Sequence, residues 1–197
     1  MNSKDTQKED KELEWEEVSC EHIVSDEWID IRRSAYRFPD GSVFEPFYSY
    51  SRRNYVIIVA TDTDCNYICV RQYRQGIGQV TTEFVAGGIE RNDGRQYGPP
   101  ENAEDALEAA KRELAEETGY GSDEWRQLIR IPSNVTIADN YAFVFEAKNC
   151  RRVSGQSLDE TEFLNVKKIP KDALEKLISD GKFQQAIHIM AYLLSLR

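Results

Sequence analysis

The sequence predicts an α/β fold, a mixed sheet packed with helices and preceded by a small antiparallel β sub-domain. Three observations carry this. The run Tyr55-Val56-Ile57-Ile58-Val59-Ala60 is continuously apolar, as expected of a buried strand. Other short strand-like runs flank one long helical segment, and the C-terminus is helical again. Upstream of residue 51 only strand and turn signals occur.

Residues 1–13 are almost all polar and read as a mobile tail. They are charged rather than apolar, so no signal peptide is expected. Residues 14–50 form the small antiparallel sub-domain. Residues 28–36 mix apolar and polar side chains at roughly period two, and Phe38-Pro39-Asp40-Gly41 carries turn chemistry. The aromatic-rich stretch 43–50 contains Pro46, which marks its strand as an edge or an interrupted one.

Residues 51–197 form the main domain. After the apolar run, Asp62-Thr63-Asp64 turns the chain into a strand over 67–73. Another strand surrounds Glu83-Phe84-Val85-Ala86 and ends at Gly87-Gly88, and residues 91–100 are a loop by composition. The pattern predicts a helix over 102–118, stopped by Gly119. Strands are expected over 125–131, 141–147 and 163–167. Helices are expected over 171–179 and 183–196, separated by Asp180-Gly181. There is no internal repeat.

The 197 residues carry a net charge of −10, which argues against a nucleic-acid partner. An anionic substrate would need a local concentration of positive charge, and metal ions are one source of it. No apolar run approaches a membrane span. Of Cys20, Cys65, Cys69 and Cys150, two are spaced C-x3-C, but no second ligand pair follows, so a zinc site is not expected. Reduced thiols point to the cytoplasm.

The chemistry is expected on the helix. Glu113, Glu116 and Glu117 stand at i, i+3 and i+4 and share a face, apart from an apolar stripe of Ala103, Leu107, Ala110 and Leu114. Like charges at this spacing repel by a few tenths of a kcal/mol per pair, roughly. Three glutamates alone fit a solvated acidic face better than a platform for a hard divalent cation.

The wider pattern narrows the choice. Gly98, five residues, Glu104, seven residues, then Arg112-Glu113-Leu114-x-Glu116-Glu117-x-Gly119 resembles the signature of the Nudix hydrolase superfamily. Ala86-Gly87-Gly88 also resembles the strand end that supplies the first glycine in many of these enzymes. Either Gly98 or Gly87/Gly88 can therefore play that part, and residues 91–100 read as a loop insertion. Outside the box the chain resembles the ADP-ribose pyrophosphatase branch. The matching stretches are Val70-Arg71-Gln72-Tyr73-Arg74, Glu83-Phe84-Val85-Ala86-Gly87 and Leu158-Asp159-Glu160-Thr161-Glu162-Phe163.

The resemblance implies an α/β/α sandwich and hydrolysis of the pyrophosphate of a nucleoside diphosphate sugar, ADP-ribose foremost. It implies two or three Mg2+ ions, with Mn2+ as a substitute, and a homodimer. Glu113 and Glu117 would be the principal metal ligands, joined by Glu116, Glu162 and a backbone carbonyl near Ala86. Glu160 would be the general base, with Glu116 and Arg112 completing the catalytic set. Arg112 and Glu104 would fix neighbouring carboxylates. Substrate contacts would come from Arg74, Arg52, Arg53 and Glu83, and from Trp28 and Phe47 as base-stacking rings. Trp28, Phe47 and Tyr48 could equally be packing residues, and Asp159-Glu160-Thr161-Glu162 could be a solvated loop. His22 and His188 read as structural. Pro132 is displaced from the proline turn of ADP-ribose-specific relatives, so the sugar end differs. The rivals are hydrolysis of another nucleotide sugar or dinucleotide cofactor, and a non-catalytic nucleotide-sensing module. Such modules often lose box glutamates, whereas all are present here.

Overall fold

The computed structural model describes residues 8–92 and 103–197. Of the expected tail, Asp10–Glu12 form a single 3-10 turn, and Glu9 N–H donates to Glu12 Oε2 at 2.8 Å. The N-terminal sub-domain is a three-stranded antiparallel sheet in the order β1 (Glu16–Ser25), β2 (Asp30–Arg37), β3 (Val43–Ser51). The Phe38-to-Gly41 turn closes with Gly41 N–H on Phe38 O at 2.9 Å, and Gly41 has φ +86°. Pro46 lies on β3, an edge strand. The β2–β3 register slips between Ser34 and Tyr36, opposite Glu45-Pro46, where the ladder loses a donor.

The second sheet is built from β4 (Tyr55–Asp62), β5 (Tyr67–Arg74), β6 (Gln79–Gly88), β7 (Tyr120–Gly121), β8 (Glu124–Pro132), β9 (Tyr141–Arg152) and β10 (Leu164–Ile169). Its order is β10-β5-β6-β4-β9-β7, with β8 also paired to β9. β4 runs parallel to β9 and every other pairing is antiparallel, so the sheet is mixed as predicted. β4 explains the apolar run. Val56, Ile58 and Ala60 face one core, and Ile57 and Val59 face the other.

Helix α1 (Ala106–Thr118) covers the first face through Ala109, Ala110 and Leu114. α2 (Lys171–Ser179) and α3 (Ala186–Ser195) cover the other through Leu174, Ala191 and Tyr192, with Phe183 buried between them. This is the expected α/β/α sandwich. Two helix starts differ from expectation. α1 begins at Ala106, because Asp105 caps it by accepting from Leu107 N at 2.9 Å and Glu108 N at 3.2 Å. Ala103 is therefore not on the helix but pairs with Arg91 as an isolated antiparallel bridge. α3 begins at Ala186, three residues later than the periodicity suggests.

The two sheets meet at the segment after β8. Tyr50 N–H donates to Ile137 O at 2.7 Å, and Asp139 N–H donates to Tyr50 O at 3.3 Å. Among the described residues, no helix is long and apolar enough to cross a membrane.

Candidate active site

α1 turns its acidic face inward. Glu113 is 7% exposed and Glu117 2%, so this is no solvated face. A carboxylate oxygen from each of Glu113, Glu117 and Glu162 lies within 4.8 Å of the others. Glu117 Oε2 is buried without a hydrogen-bond partner among the described residues. Burial lifts the Glu113 carboxyl to about 7; Arg112 opposes the rise, and Glu116 and Glu162 add to it. Burial also lifts Glu117 well above the usual carboxylate range, reinforced by Glu113 and Glu162.

Arg112 organises this end of the helix. Its guanidinium donates to Glu104 (3.2 and 3.0 Å), Glu113 (2.9 Å), Glu116 (2.9 Å) and the Gly88 carbonyl (3.0 Å). Burial works against its charge, but Glu104, Glu113 and Glu116 more than offset that and hold it protonated. Glu104 is bonded to Arg112 and not to a neighbouring carboxylate, so it bears on the glutamates only through that guanidinium. Glu116 is held by Arg112 and lies outside the group formed by Glu113, Glu117 and Glu162.

The end of β6 lies directly beneath. A Cβ on Gly87 would overlap the Glu113 carboxylate, so only glycine lets that side chain lie on the strand backbone. Gly87 therefore fits the part of the first box glycine. Gly98 lies outside the described residues. The Arg91–Ala103 bridge brings the flanks of that segment together, as an insertion would require. Ala86 immediately precedes Gly87 at this strand end, paired with Ile57.

The acidic loop is tied to the C-terminal end of α1. Ser157 N–H donates to Glu116 O at 2.9 Å, and Gln156 Nε2 donates to Glu117 O at 2.7 Å. Gly119 (φ +73°) lets the loop cross closely, since a Cβ there would lie 2.6 Å from Ser154 O. These clamps, not anticipated from sequence, bring Glu162 to the glutamates. Glu160 is exposed and is not brought into the cluster.

Glu83, expected to touch substrate, is instead completely buried. Arg74 grips it with two bonds of 2.9 Å, Thr81 Oγ1 donates at 2.7 Å and Gln185 Nε2 at 3.1 Å. Despite burial, these donors hold its carboxyl below the usual range. Its work is to aim Arg74, whose side chain is 36% exposed and whose charge acts on Glu117. His188 is buried, accepts from Phe84 N–H at 3.1 Å, and is pushed down to about 4 by burial, which fits the structural role expected of it.

Arg52 and Arg53 line a cleft of about 410 Å³ between the two sheets. Arg32, Arg91 and Arg130 line it too, a concentration the sequence reading missed because the five come from four separate segments. Phe47 is not a free stacking surface. It packs in a ring cluster with Trp15 (5.3 Å), Tyr36 (5.5 Å), Phe44 (5.7 Å) and Phe38 (6.2 Å). Trp28 is exposed beyond the end of β1.

Comparison with known proteins accords with this geometry. A "Methanol dehydrogenase activator" from Bacillus methanolicus is 23% identical over 188 residues, 92% of each chain. An "ADP-ribose pyrophosphatase" from Bacillus subtilis (strain 168) is 25% identical over 177 residues, 89% of each chain. A solved structure described as an ADP compounds hydrolase shares the fold, with a TM-score of 0.77, 22% identity and 93% of both chains covered. The family model for the NUDIX domain matches residues 51–187, so the span holding the glutamates, Arg112, Gly87 and the acidic loop lies within it, and the chain belongs to the NUDIX family.

Proposed function

We propose that the chain is a divalent-cation-dependent pyrophosphohydrolase of nucleoside diphosphate sugars, and that ADP-ribose, cleaved to AMP and ribose 5-phosphate, is its favoured substrate. The observation that carries this is the convergence of Glu113, Glu117 and Glu162 within 4.8 Å, with a buried and partnerless Glu117 Oε2. Three carboxylates so placed repel one another unless a cation sits between them, and oxygen ligands suit Mg2+, with Mn2+ as a substitute. Two or three ions held by Glu113, Glu117, Glu162 and the backbone near Ala86 would neutralise the phosphates and acidify water.

The chain's own residues do the rest. Arg112 fixes the Glu113 and Glu116 rotamers by hydrogen bonding to both. Arg74, aimed by Glu83, presents positive charge beside Glu117. Glu160, on the turn that precedes Glu162, is our candidate to take the proton from the attacking water. Water oxygen bonds to one phosphorus, the bridging P–O bond breaks, and two phosphomonoesters leave. The name of the Bacillus subtilis relative supports ADP-ribose over other nucleotide sugars.

A homodimer would suit the N-terminal sheet, which leaves Trp15, Val18, Ile23, Val43 and Phe44 about half exposed. A mass of one chain in solution would count against it. Four unpaired thiols suit a reducing compartment such as the cytoplasm. The test of function is product analysis of ADP-ribose and a nucleotide-sugar panel with Mg2+. AMP and ribose 5-phosphate are expected, with a loss of at least about 100-fold in Glu117→Gln. Near-normal turnover by that variant on every substrate would remove the metal assignment.

A further inference from the structure

We propose that Gln185 is a positioning residue for hydrolysis, acting through Glu83 to fix the orientation in which the Arg74 guanidinium meets the substrate phosphates. This rests on the reading that the phosphates sit at Glu113 and Glu117, with Arg74 beside them. Glu83 is completely buried, and its carboxylate uses its full acceptor capacity. Oε1 accepts from Arg74 Nε at 2.9 Å and from Thr81 Oγ1 at 2.7 Å. Oε2 accepts from Arg74 Nη2 at 2.9 Å and from Gln185 Nε2 at 3.1 Å. Each oxygen thus takes one bond from the arginine and one from a neutral donor. The arginine bonds alone complete the ion pair, but they would let carboxylate and guanidinium swing as one unit about the Glu83 side-chain torsions. The two neutral donors remove that freedom.

Gln185 is spent on this bond and not on its own helix. It is the N-cap residue of α3, with extended backbone (φ −79°, ψ 111°), the place where a short polar side chain would satisfy the first N–H groups. Its side chain makes no such bond and reaches Glu83 instead. On the first turn of α3, His188 accepts from Phe84 N–H at 3.1 Å. The start of α3 is therefore stitched to β6 at consecutive residues, Glu83 and Phe84, which fixes where the Gln185 amide lies.

Arg74 commits Nε and one Nη2 hydrogen to Glu83. Among the described residues its guanidinium makes no other bond, so Nη1 and the second Nη2 hydrogen remain to meet an anion. Their direction matters because Glu83, Val85 and Gly87 alternate onto one face of β6. Glu113 lies against Gly87, and Val85 packs in the core beneath α1. The charges of Arg74 and Glu83 act on Glu117, one helical turn from Glu113. The held carboxylate is thus in line with the glutamate cluster, and any swing of it carries Arg74 along or away from that line. An error of about 1 Å in the placement of such a clamp can cost about 100-fold in rate.

The test uses the full chain with Mg2+ and whichever nucleotide sugar wild type hydrolyses fastest. Gln185→Leu, at a half-buried position, is expected to lower kcat/KM about tenfold while shifting thermal unfolding by less than about 5 °C. Thr81→Val withdraws the other neutral donor and is expected to act in the same direction. In an Arg74→Lys background, where a point charge replaces the fork, Gln185→Leu should change kcat/KM by less than about twofold. The 15N NMR signal of Arg74 Nε–H, assigned by its loss in Arg74→Lys, reads the same hold without turnover. It should be single and sharp in wild type, and should broaden or exchange faster with water in Gln185→Leu. A loss of equal size with and without the arginine fork would make the effect structural and overturn the proposal. So would an unaltered Arg74 signal, or a Gln185→Leu kcat/KM within about twofold of wild type. These outcomes need an active wild type and leave the activity itself standing. A wild type that hydrolyses no member of the panel, while the Arg74 signal still responds, would instead remove the proposed activity and the role in hydrolysis with it.

Discussion

Glu113→Gln is expected to make the metal-free protein more stable and the metal-loaded protein less so. Burial raises the Glu113 carboxyl from 4.5 to about 7. At ~1.4 kcal/mol per pKa unit, this amounts to about 3 kcal/mol. The sign follows from proton binding. Between pH 4.5 and about 7 the folded state holds the proton more tightly than the unfolded chain does. The stability from this group is therefore complete below the unfolded value and is lost as pH rises through the folded one. Glutamine carries no such titration. It gives up part of the charged bond to Arg112, a loss of roughly 1–2 kcal/mol. The variant should thus match or trail wild type near pH 5 and exceed it by about 1–2 kcal/mol near pH 8, which is about 2–8 °C for a chain of this size.

His188 acts in the opposite direction. Its depressed pKa of about 4 makes stability rise with pH up to the unfolded value of 6.5. Both proteins share that contribution, so the difference between them isolates Glu113. Thermal unfolding in EDTA at both pH values, then with saturating Mg2+, provides the assay. The cation should reverse the order by stabilising wild type alone. A variant less stable than wild type near pH 8 in EDTA would show that Arg112 fully satisfies Glu113, and that the cluster holds no excess repulsion for a cation to relieve.

Two further perturbations address the supports of the site. In Gly87→Ala the new methyl overlaps the Glu113 carboxylate, the movable end of a side chain. Unfolding should shift by less than about 1 kcal/mol, while the Mg2+ needed for half-maximal activity should rise roughly tenfold. An unchanged Mg2+ requirement would argue against Glu113 as a ligand. Arg74→Ala strips the bidentate partner from the fully buried Glu83 and should cost about 3–5 kcal/mol in urea unfolding, largely recovered by adding Glu83→Gln. If the second substitution recovers nothing, the loss is not that of an unpaired buried charge.

What was legible in the sequence was what a few neighbouring residues decide. The β4 run, the Phe38-to-Gly41 turn, the Gly119 stop and the bounds of α2 all lie where local pattern placed them. The start of α1 was not legible, because Ala103 and Glu104 have good helical propensity while a tertiary pairing, Arg91 with Ala103, takes the backbone elsewhere. β7 has two residues, too few for any periodicity, and exists only because Arg151 and Arg152 pair with it. Whether Phe47 stacks on a ligand or packs could not be decided for the same kind of reason. An aromatic residue on a strand gives no sign of whether four other rings will close around it.

The site divides along the same line, and the division has a physical origin. Glu113, Glu117 and Arg112 sit on one helix, so spacing alone places them together. The five arginines are spread from residue 32 to residue 130, and only the docking of the two sheets gathers them. Both clusters nonetheless announce themselves once seen, because each concentrates one sign of charge where folding alone would disperse it. Buried glutamates destabilise the end of β6, and arginines gather in the cleft beside it. The two sheet cores supply the stability that tolerates both. Gly87 and Gly88 let Glu113 and Arg53 lie against consecutive residues of β6, one on each face of the strand.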